Sequence, residues 1–306
     1  MPFENHFEIG YKIFSKLFSD IGFSYPIFLF VSTLIYLIIY FYVFSRNNYS
    51  NVLVLLFYSS YLLGLMGAAR QVLALSLCLL AAQFLLERRR WIFYFLVLIA
   101  TLFHKTAILT IFAIFFIKTE FKIKNYIYFA LVAVLANLAH NYIFIVMENI
   151  LNYFPIISNQ LTVYIVSEDT APIYYVDDLY FKSLIFLKRI FFVILFIFFK
   201  NLIKINKYEY NFFLNGYIFS LLIFISLYSL FPAIAVRASL YFYIYDIFLF
   251  CIILSNLNGK YKLYFFTFVM IISIQRLFTL FNYDSDFLVP YKSFYINEFI
   301  YKDMPR

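Results

Sequence analysis

Polar and basic side chains interrupt the long apolar runs of this sequence, where ionised groups are costly. They are Arg70, Gln71, His104, Lys105, Lys188, Arg189, Arg237, Tyr241 and Arg276. An ionised side chain at the bilayer centre costs on the order of 2.5–3.5 kcal/mol by insertion scales, so each one needs a role. Asp246 is the only obvious acid inside the runs, and one carboxylate cannot neutralise the set. The excess positive charge therefore predicts an anionic ligand, such as a diphosphate whose oxygens pair with arginine forks.

The depth of these groups can be estimated from the helical rise. Arg189 falls about 16 Å from Lys200, near the bilayer centre, and Arg276 falls about 21 Å from Lys262, in the outer half. Lys188 is one residue deeper than Arg189. The distribution fits a lipid-linked diphosphate that approaches from the outer leaflet.

Two positions carry specific chemical predictions. His104 is the first candidate for a general base, because histidine titrates near neutral pH, although it could equally bind phosphate. Arg237 begins a helix in which Tyr241 and Tyr245 follow at i+4 and i+8, which places all three on one stripe. We predict His104, Arg70 and Arg237 as catalytic residues and the other residues of the set as diphosphate-binding residues.

Simpler roles compete with these predictions. Arg70 and Arg237 stand at helix ends, where arginine is often an interface anchor. Lys188 or Arg189 could form an internal ion pair with Asp246. His104 could be a polar cap without a chemical role.

The composition sets the class of protein that must position these residues. Of the 306 residues, 65% are hydrophobic and 13% charged, whereas soluble domains are about 45–50% apolar and about 25% charged. We therefore predict a single all-α integral membrane domain over residues 1–306. A span needs about 20 apolar residues, and about ten candidates follow: 25–44, 52–69, 70–86, 91–104, 105–118, 126–147, 180–199, 212–231, 237–255 and 263–281.

Orientation follows from the charges of the short loops. The loops after the odd-numbered spans contain twelve basic residues and three acids, which the positive-inside rule assigns to the cytoplasm. Both termini and one long loop, about 148–182, are then predicted outside. The net charge of +8 thus reflects topology, and we predict no nucleic-acid partner.

The two cysteines, Cys78 and Cys251, lie inside apolar runs. A thiol in such surroundings usually behaves as a small hydrophobe. We expect no metal site and no cofactor.

Residues 67–109, GAARQVLALSLCLLAAQFLLERRRWIFYFLVLIATLFHKTAIL, resemble the EpsG/Wzy-like family of bacterial polysaccharide polymerases. In that pattern an Arg-Gln pair opens a helix, a basic turn follows, and the next helix ends in Phe-His-Lys. Arg70, Gln71, Phe103, His104 and Lys105 stand in those places. The later segment VRASLYFYIY is similar to another recurrent feature of the family.

The resemblance implies a C-type glycosyltransferase-like membrane fold in the bacterial cytoplasmic (inner) membrane. It also implies a polymerase that joins undecaprenyl-diphosphate-linked repeat units at the outer face, as in O-antigen synthesis. The expected partners are these lipid-linked glycans and the lipid bilayer, and a chain-length regulator protein is compatible with that activity.

Two other functions also explain a cationic cavity. A lipid-linked oligosaccharide flippase would need such a cavity on both faces, whereas the basic residues here favour the outer half and no inverted repeat is visible. A membrane acyltransferase that modifies surface glycans would need access to a cytoplasmic acyl donor. The sequence favours the polymerase over both.

Overall fold

The computed structural model describes residues 8–46, 50–62, 69–117, 120–139, 142, 179–229 and 231–283. Within these ranges the chain is helical and contains no strand. The α-helices are α1 (Ile9–Asp20), α2 (Tyr25–Ser45), α3 (Ser50–Phe57), α4 (Ala69–Leu86), α5 (Arg90–Phe103), α6 (Ile123–Leu138), α7 (Leu179–Phe199), α8 (Lys207–Tyr228), α9 (Pro232–Tyr243), α10 (Tyr245–Asn256) and α11 (Gly259–Tyr283). A π-helical turn, Tyr58–Leu62, extends α3, and a 3₁₀ segment, Lys105–Phe116, follows α5.

Within the described ranges, five helical stretches are long and apolar enough to cross a membrane: Tyr25–Ser45, Ala69–Leu86, Lys207–Tyr228, Ile234–Asn256 and Gly259–Thr279. Shorter apolar helices cover Asn51–Tyr61, Arg90–Phe103, Lys105–Phe116 and Ile123–Leu138. The all-helical membrane class predicted from composition is thus confirmed. The count of ten spans, the outward termini and the glycosyltransferase-like fold stay predictions, and most of the predicted loop 148–182 lies outside the described residues.

The centre of the bundle is formed by α8, α9 and α10. The share of buried residues is 72% in Lys207–Tyr228 and 83% in Ile234–Asn256, against 28% in Tyr25–Ser45 and 22% in Gly259–Thr279. Helices α2 and α11 therefore lie at the periphery of the bundle. Gly216 allows α8 to approach α10 closely, because a Cβ at this position would lie 2.5 Å from the Tyr245 ring.

The ninth predicted span is not one regular helix. It divides at Ile244 into α9 and α10, so the predicted stripe of Arg237, Tyr241 and Tyr245 holds only as far as Tyr241. Tyr245 instead packs on α8, with its ring centroid 5.1 Å from that of Phe213.

The 3₁₀ segment begins directly after His104, whose backbone is extended (φ −154°, ψ 115°). Its buried residues recur every third position, at Ala107, Thr110, Ala113 and Phe116. A 3₁₀ helix rises about 2.0 Å per residue, so twelve residues reach about 24 Å, where an α-helix would reach about 18 Å. This geometry explains how such a short apolar run covers most of a hydrocarbon layer.

Helix α1 was not predicted from the sequence. Its 12 residues extend only about 18 Å, too short for a span. It packs against α5 through Gly10, where an added Cβ would lie 2.8 Å from the Leu102 carbonyl oxygen. Ile9 and Ile13 on its opposite face are 66% and 65% exposed, as suits a helix that rests in apolar surroundings. This docking places the start of α1 beside the end of α5.

Candidate functional site

The first polar cluster joins the starts of α1 and α4 to the end of α5. The carboxylate of Glu8, only 4% exposed, accepts a hydrogen bond from Arg70 Nη1 at 2.7 Å. Its other oxygen lies 3.2 Å from His104 Nδ1. Because Gly10 brings α1 against Leu102, two residues before His104, close helix packing sets this geometry. We call Glu8, Arg70 and His104 the outer triad, after the side of the membrane on which the sequence predicts Arg70 and His104.

The charge of Glu8 is fixed by its neighbours. Burial acts to raise the pKa of this carboxyl, but hydrogen bonds from His104, its own backbone and Arg70 outweigh burial and lower the pKa from 4.5 to about 2. Glu8 is therefore ionised at neutral pH. The stabilisation that its charge supplies is complete above the ordinary pKa and is lost as the pH falls toward 2.

Three buried polar atoms lie at or beside the outer triad without a hydrogen-bond partner in the described part of the chain. They are His104 Nε2, Thr106 Oγ1 and the Tyr241 hydroxyl oxygen. Tyr241 lies close to Thr106 without reaching hydrogen-bond geometry. Buried polar groups usually have partners, and exceptions often mark functional sites. The hydroxyls of Thr106 and Tyr241 can each donate or accept a hydrogen bond, and a neutral His104 ring that donates to Glu8 through Nδ1 has an acceptor at Nε2.

The remaining predicted residues near the outer triad differ in exposure. Gln71 is 8% exposed and lies next to Arg70 in α4. Lys105 and Arg237 are exposed, and Arg237 makes no ion pair with any residue that the structure describes. Arg237 and Tyr241 are one turn apart on α9, which contacts the 3₁₀ segment. Five predicted residues thus lie with His104 on neighbouring helical elements: Arg70, Gln71, Lys105, Arg237 and Tyr241.

A second polar cluster lies where α10 and α11 meet the π-helical turn. Asp246, 0% exposed, binds Arg276 with an N–O distance of 2.7 Å. Tyr61 donates to the other Asp246 oxygen at 2.8 Å, and Arg276 also donates to Ser60 at 2.7 Å. The alternative pairing of Asp246 with Lys188 or Arg189 is therefore wrong, because Arg276 occupies the carboxylate.

Arg189 is 7% exposed, and no carboxylate lies within 4.0 Å of its guanidinium among the described residues. It donates to Ser239 at 3.2 Å and stacks on Phe224 and Tyr243, with its Cζ 3.9 Å and 4.4 Å from the ring centroids. Aromatic faces attract a guanidinium but do not neutralise it. With half-buried Lys188 beside it, this region keeps an excess of positive charge.

The structure thus separates the predicted set into two groups on either side of α9. One contains the outer triad with Tyr241, and the other contains Lys188, Arg189 and Arg276. Sequence reasoning missed Glu8, which precedes the first predicted span and was not among the predicted residues. A signal was available, since Ile9, Ile13 and Leu17 recur at helical spacing directly after it.

The sequence profile of the EpsG family matches residues 1–293. This match covers nearly the whole chain, including both polar clusters. The chain belongs to the EpsG family. No curated protein and no solved structure gives a significant match.

The resemblance to EpsG-type proteins predicted from residues 67–109 is therefore confirmed and extends well beyond that segment. EpsG membership indicates a membrane protein of polysaccharide biosynthesis with a polymerase-like, glycosyltransferase-like activity. Among the residues that the structure describes, no group of three His, Cys, Asp or Glu side chains is placed to hold a metal ion. Cys78 and Cys251 are buried and unpaired.

Proposed function

We propose that this EpsG protein is a polymerase that joins undecaprenyl-diphosphate-linked oligosaccharide repeat units at the outer face of the bacterial inner membrane. The observation that carries the proposal is the outer triad: a buried, ionised Glu8 that holds both His104 and Arg70. A carboxylate that accepts a hydrogen bond from one ring nitrogen fixes the tautomer and leaves the other nitrogen as a proton acceptor. His104 Nε2 is that nitrogen, and it is buried and unpartnered.

The proposed reaction assigns a role to each group. His104 Nε2 takes the proton from an acceptor sugar hydroxyl while that oxygen attacks the anomeric carbon of the donor glycan. The bond between that carbon and the diphosphate breaks, and the lipid diphosphate leaves with its negative charge. Arg237, which has no ion-pair partner among the described residues, stabilises this charge as it develops. Arg70 is partly neutralised by Glu8, but 34% of its side chain is exposed, and it donates hydrogen bonds to the leaving oxygens. Glu8 is a positioning residue that acts through His104.

The donor and the acceptor both carry a diphosphate, so the reaction needs two cationic regions. The second region, with Lys188 and Arg189, supplies excess positive charge on the other side of α9. Arg276 contributes less to this charge than the sequence predicted, because Asp246 neutralises it. Gln71, Lys105 and Tyr241 are proposed to bind the sugar and phosphate oxygens next to His104.

The proposal is tested in a strain that lacks the gene and is complemented with variants. His104→Gln removes the proton acceptor, and Glu8→Gln removes the charge that orients it, while Glu87→Gln is the matched control, because Glu87 forms an ion pair with Arg46 away from the outer triad. General-base catalysis contributes roughly 100- to 10,000-fold. Both triad variants should therefore yield single repeat units, and the control should yield normal polymer ladders at equal membrane protein levels.

Two outcomes would contradict the proposal. Normal polymer ladders from His104→Gln and Glu8→Gln would show that the outer triad does not take part in the reaction. If deletion instead abolishes lipid-linked units at the outer face, the protein is a flippase and the polymerase assignment is wrong.

A further inference from the structure

A lateral groove of about 380 Å³ opens between the 3₁₀ segment, α6 and α8. Its wall is aromatic, formed by Phe112, Phe115, Phe116, Phe121, Tyr126 and Phe129. The Tyr126 hydroxyl donates to Asn215 Oδ1 at 2.7 Å, so these two groups are bound to each other. The lining therefore presents hydrocarbon to an occupant.

The rim of the groove is open. Rings on its rim, such as Phe115 at 62% and Phe129 at 42% exposed, already face the membrane. Apolar atoms that line an unfilled space lack dispersion contacts on that side. A flexible hydrocarbon chain restores these contacts.

One end of the groove carries an ammonium group that has no carboxylate partner among the described residues. Half-buried Lys200 donates to the backbone oxygen of Phe121 at 2.9 Å and lies 5.8 Å from the centre of the Tyr126 ring. Burial lowers the pKa of Lys200, against the opposing effect of Glu120. Glu120 itself is bound by Lys207 at 3.3 Å, so Lys200 has capacity for another anion.

We propose that this groove binds one anionic glycerophospholipid of the cytoplasmic leaflet, with an acyl chain along the aromatic wall and the phosphate at Lys200. Lys200 and Lys207 belong to the loops predicted to be cytoplasmic. That leaflet displays anionic lipids, and basic pockets between transmembrane helices on the cytoplasmic side bind such headgroups. A zwitterionic lipid would fill the groove equally but would carry no net charge for Lys200. The proposal does not depend on the polymerase activity.

The test measures lipid binding by native mass spectrometry on the purified, delipidated full-length protein. Phosphatidylglycerol and phosphatidylcholine with identical acyl chains are the probes. Lys200→Gln removes the charge but keeps a donor for the Phe121 carbonyl, and Leu222→Trp fills the groove. The matched controls are Lys260→Gln, at an exposed lysine in the first turn of α11, and Phe198→Trp, at a 69% exposed ring on α7.

The wild type should retain one phosphatidylglycerol and prefer it over phosphatidylcholine by roughly tenfold, which corresponds to about 1.4 kcal/mol. Lys200→Gln should lose that preference, Leu222→Trp should lose binding of both lipids, and both controls should match the wild type. Lys200→Gln decides the matter even if the tryptophan variant fails to fold. Three results would each overturn the proposal. The first is an unchanged lipid preference in Lys200→Gln, and the second is equal binding of both lipids by the wild type. The third is displacement of phosphatidylglycerol by geranylgeranyl diphosphate at equal concentration.

Discussion

Loss of the Asp246 carboxylate should destabilise the protein severely. Arg276 is 7% exposed, and in Asp246→Asn its guanidinium would keep Ser60 as a hydrogen-bond partner but would lose its carboxylate. Breaking a buried ion pair by removal of one partner costs about 3–5 kcal/mol, because the other charge stays buried without compensation. Tyr61 donates to Asp246 and would then donate to a neutral amide oxygen, which adds to the loss.

The assay is the apparent midpoint of thermal unfolding in detergent. By the size scaling of soluble proteins, a loss of 3–5 kcal/mol in a chain of 306 residues corresponds to a decrease of roughly 5–8 °C. Glu87→Gln is the matched control, since an exposed ion pair contributes about 0–1 kcal/mol. A double variant, Asp246→Leu with Arg276→Met, should recover most of the stability, because it removes both buried charges.

Two results would refute this reasoning. If Asp246→Asn lowers the midpoint no more than Glu87→Gln, the buried pair contributes little. If the double variant is as unstable as the single one, the loss comes from altered packing and not from the unpaired charge.

Three further predictions follow from the geometry. Gly10→Ala should move α1 away from α5 and reduce polymer length as Glu8→Gln does, with a normal amount of protein in the membrane; unchanged ladders would contradict this. Arg189→Lys keeps the charge but loses the planar stacking and the bidentate fork, so polymerisation should drop at least tenfold, and full activity would limit Arg189 to a packing role. Reporter fusions after Arg90 and Lys207 should report cytoplasm and fusions at Asp169 the outside, and the opposite pattern would reverse the topology.

Much of the helical framework could be predicted from hydropathy alone. Each predicted span overlaps a helical element, because apolar run length is a direct physical requirement for burial in lipid. The break at Ile244 could not be predicted, since no proline or glycine marks it and it depends on how Tyr245 packs against α8. Helix α1 was also missed, because it is shorter than the apolar runs that identify membrane spans.

The candidate site was predicted in part. Basic residues and Asp246 stood out because charge inside an apolar run is rare. The basic residue that binds Asp246 could not be predicted, because depth counted along the sequence does not give the rotation of a helix about its axis. Arg276 was therefore assigned to a ligand, although its side chain turns toward Asp246. Glu8 was missed for a related reason: its contact with His104 spans 96 positions in the sequence.

The 3₁₀ segment should also leave a trace in the pattern of mutational tolerance. In an α-helix, positions that reject substitution recur with a period of 3.6, whereas side chains three apart are eclipsed in a 3₁₀ helix. Ala107, Thr110, Ala113 and Phe116 should therefore reject larger residues in a strict period of three, with Ile108 and Ile111 tolerant between them. A single-residue insertion in this segment would rotate the following residues by about 120°, enough to exchange the buried and lipid-facing sides. The segment is thus expected to have a fixed length across EpsG proteins, even where the loops on either side vary.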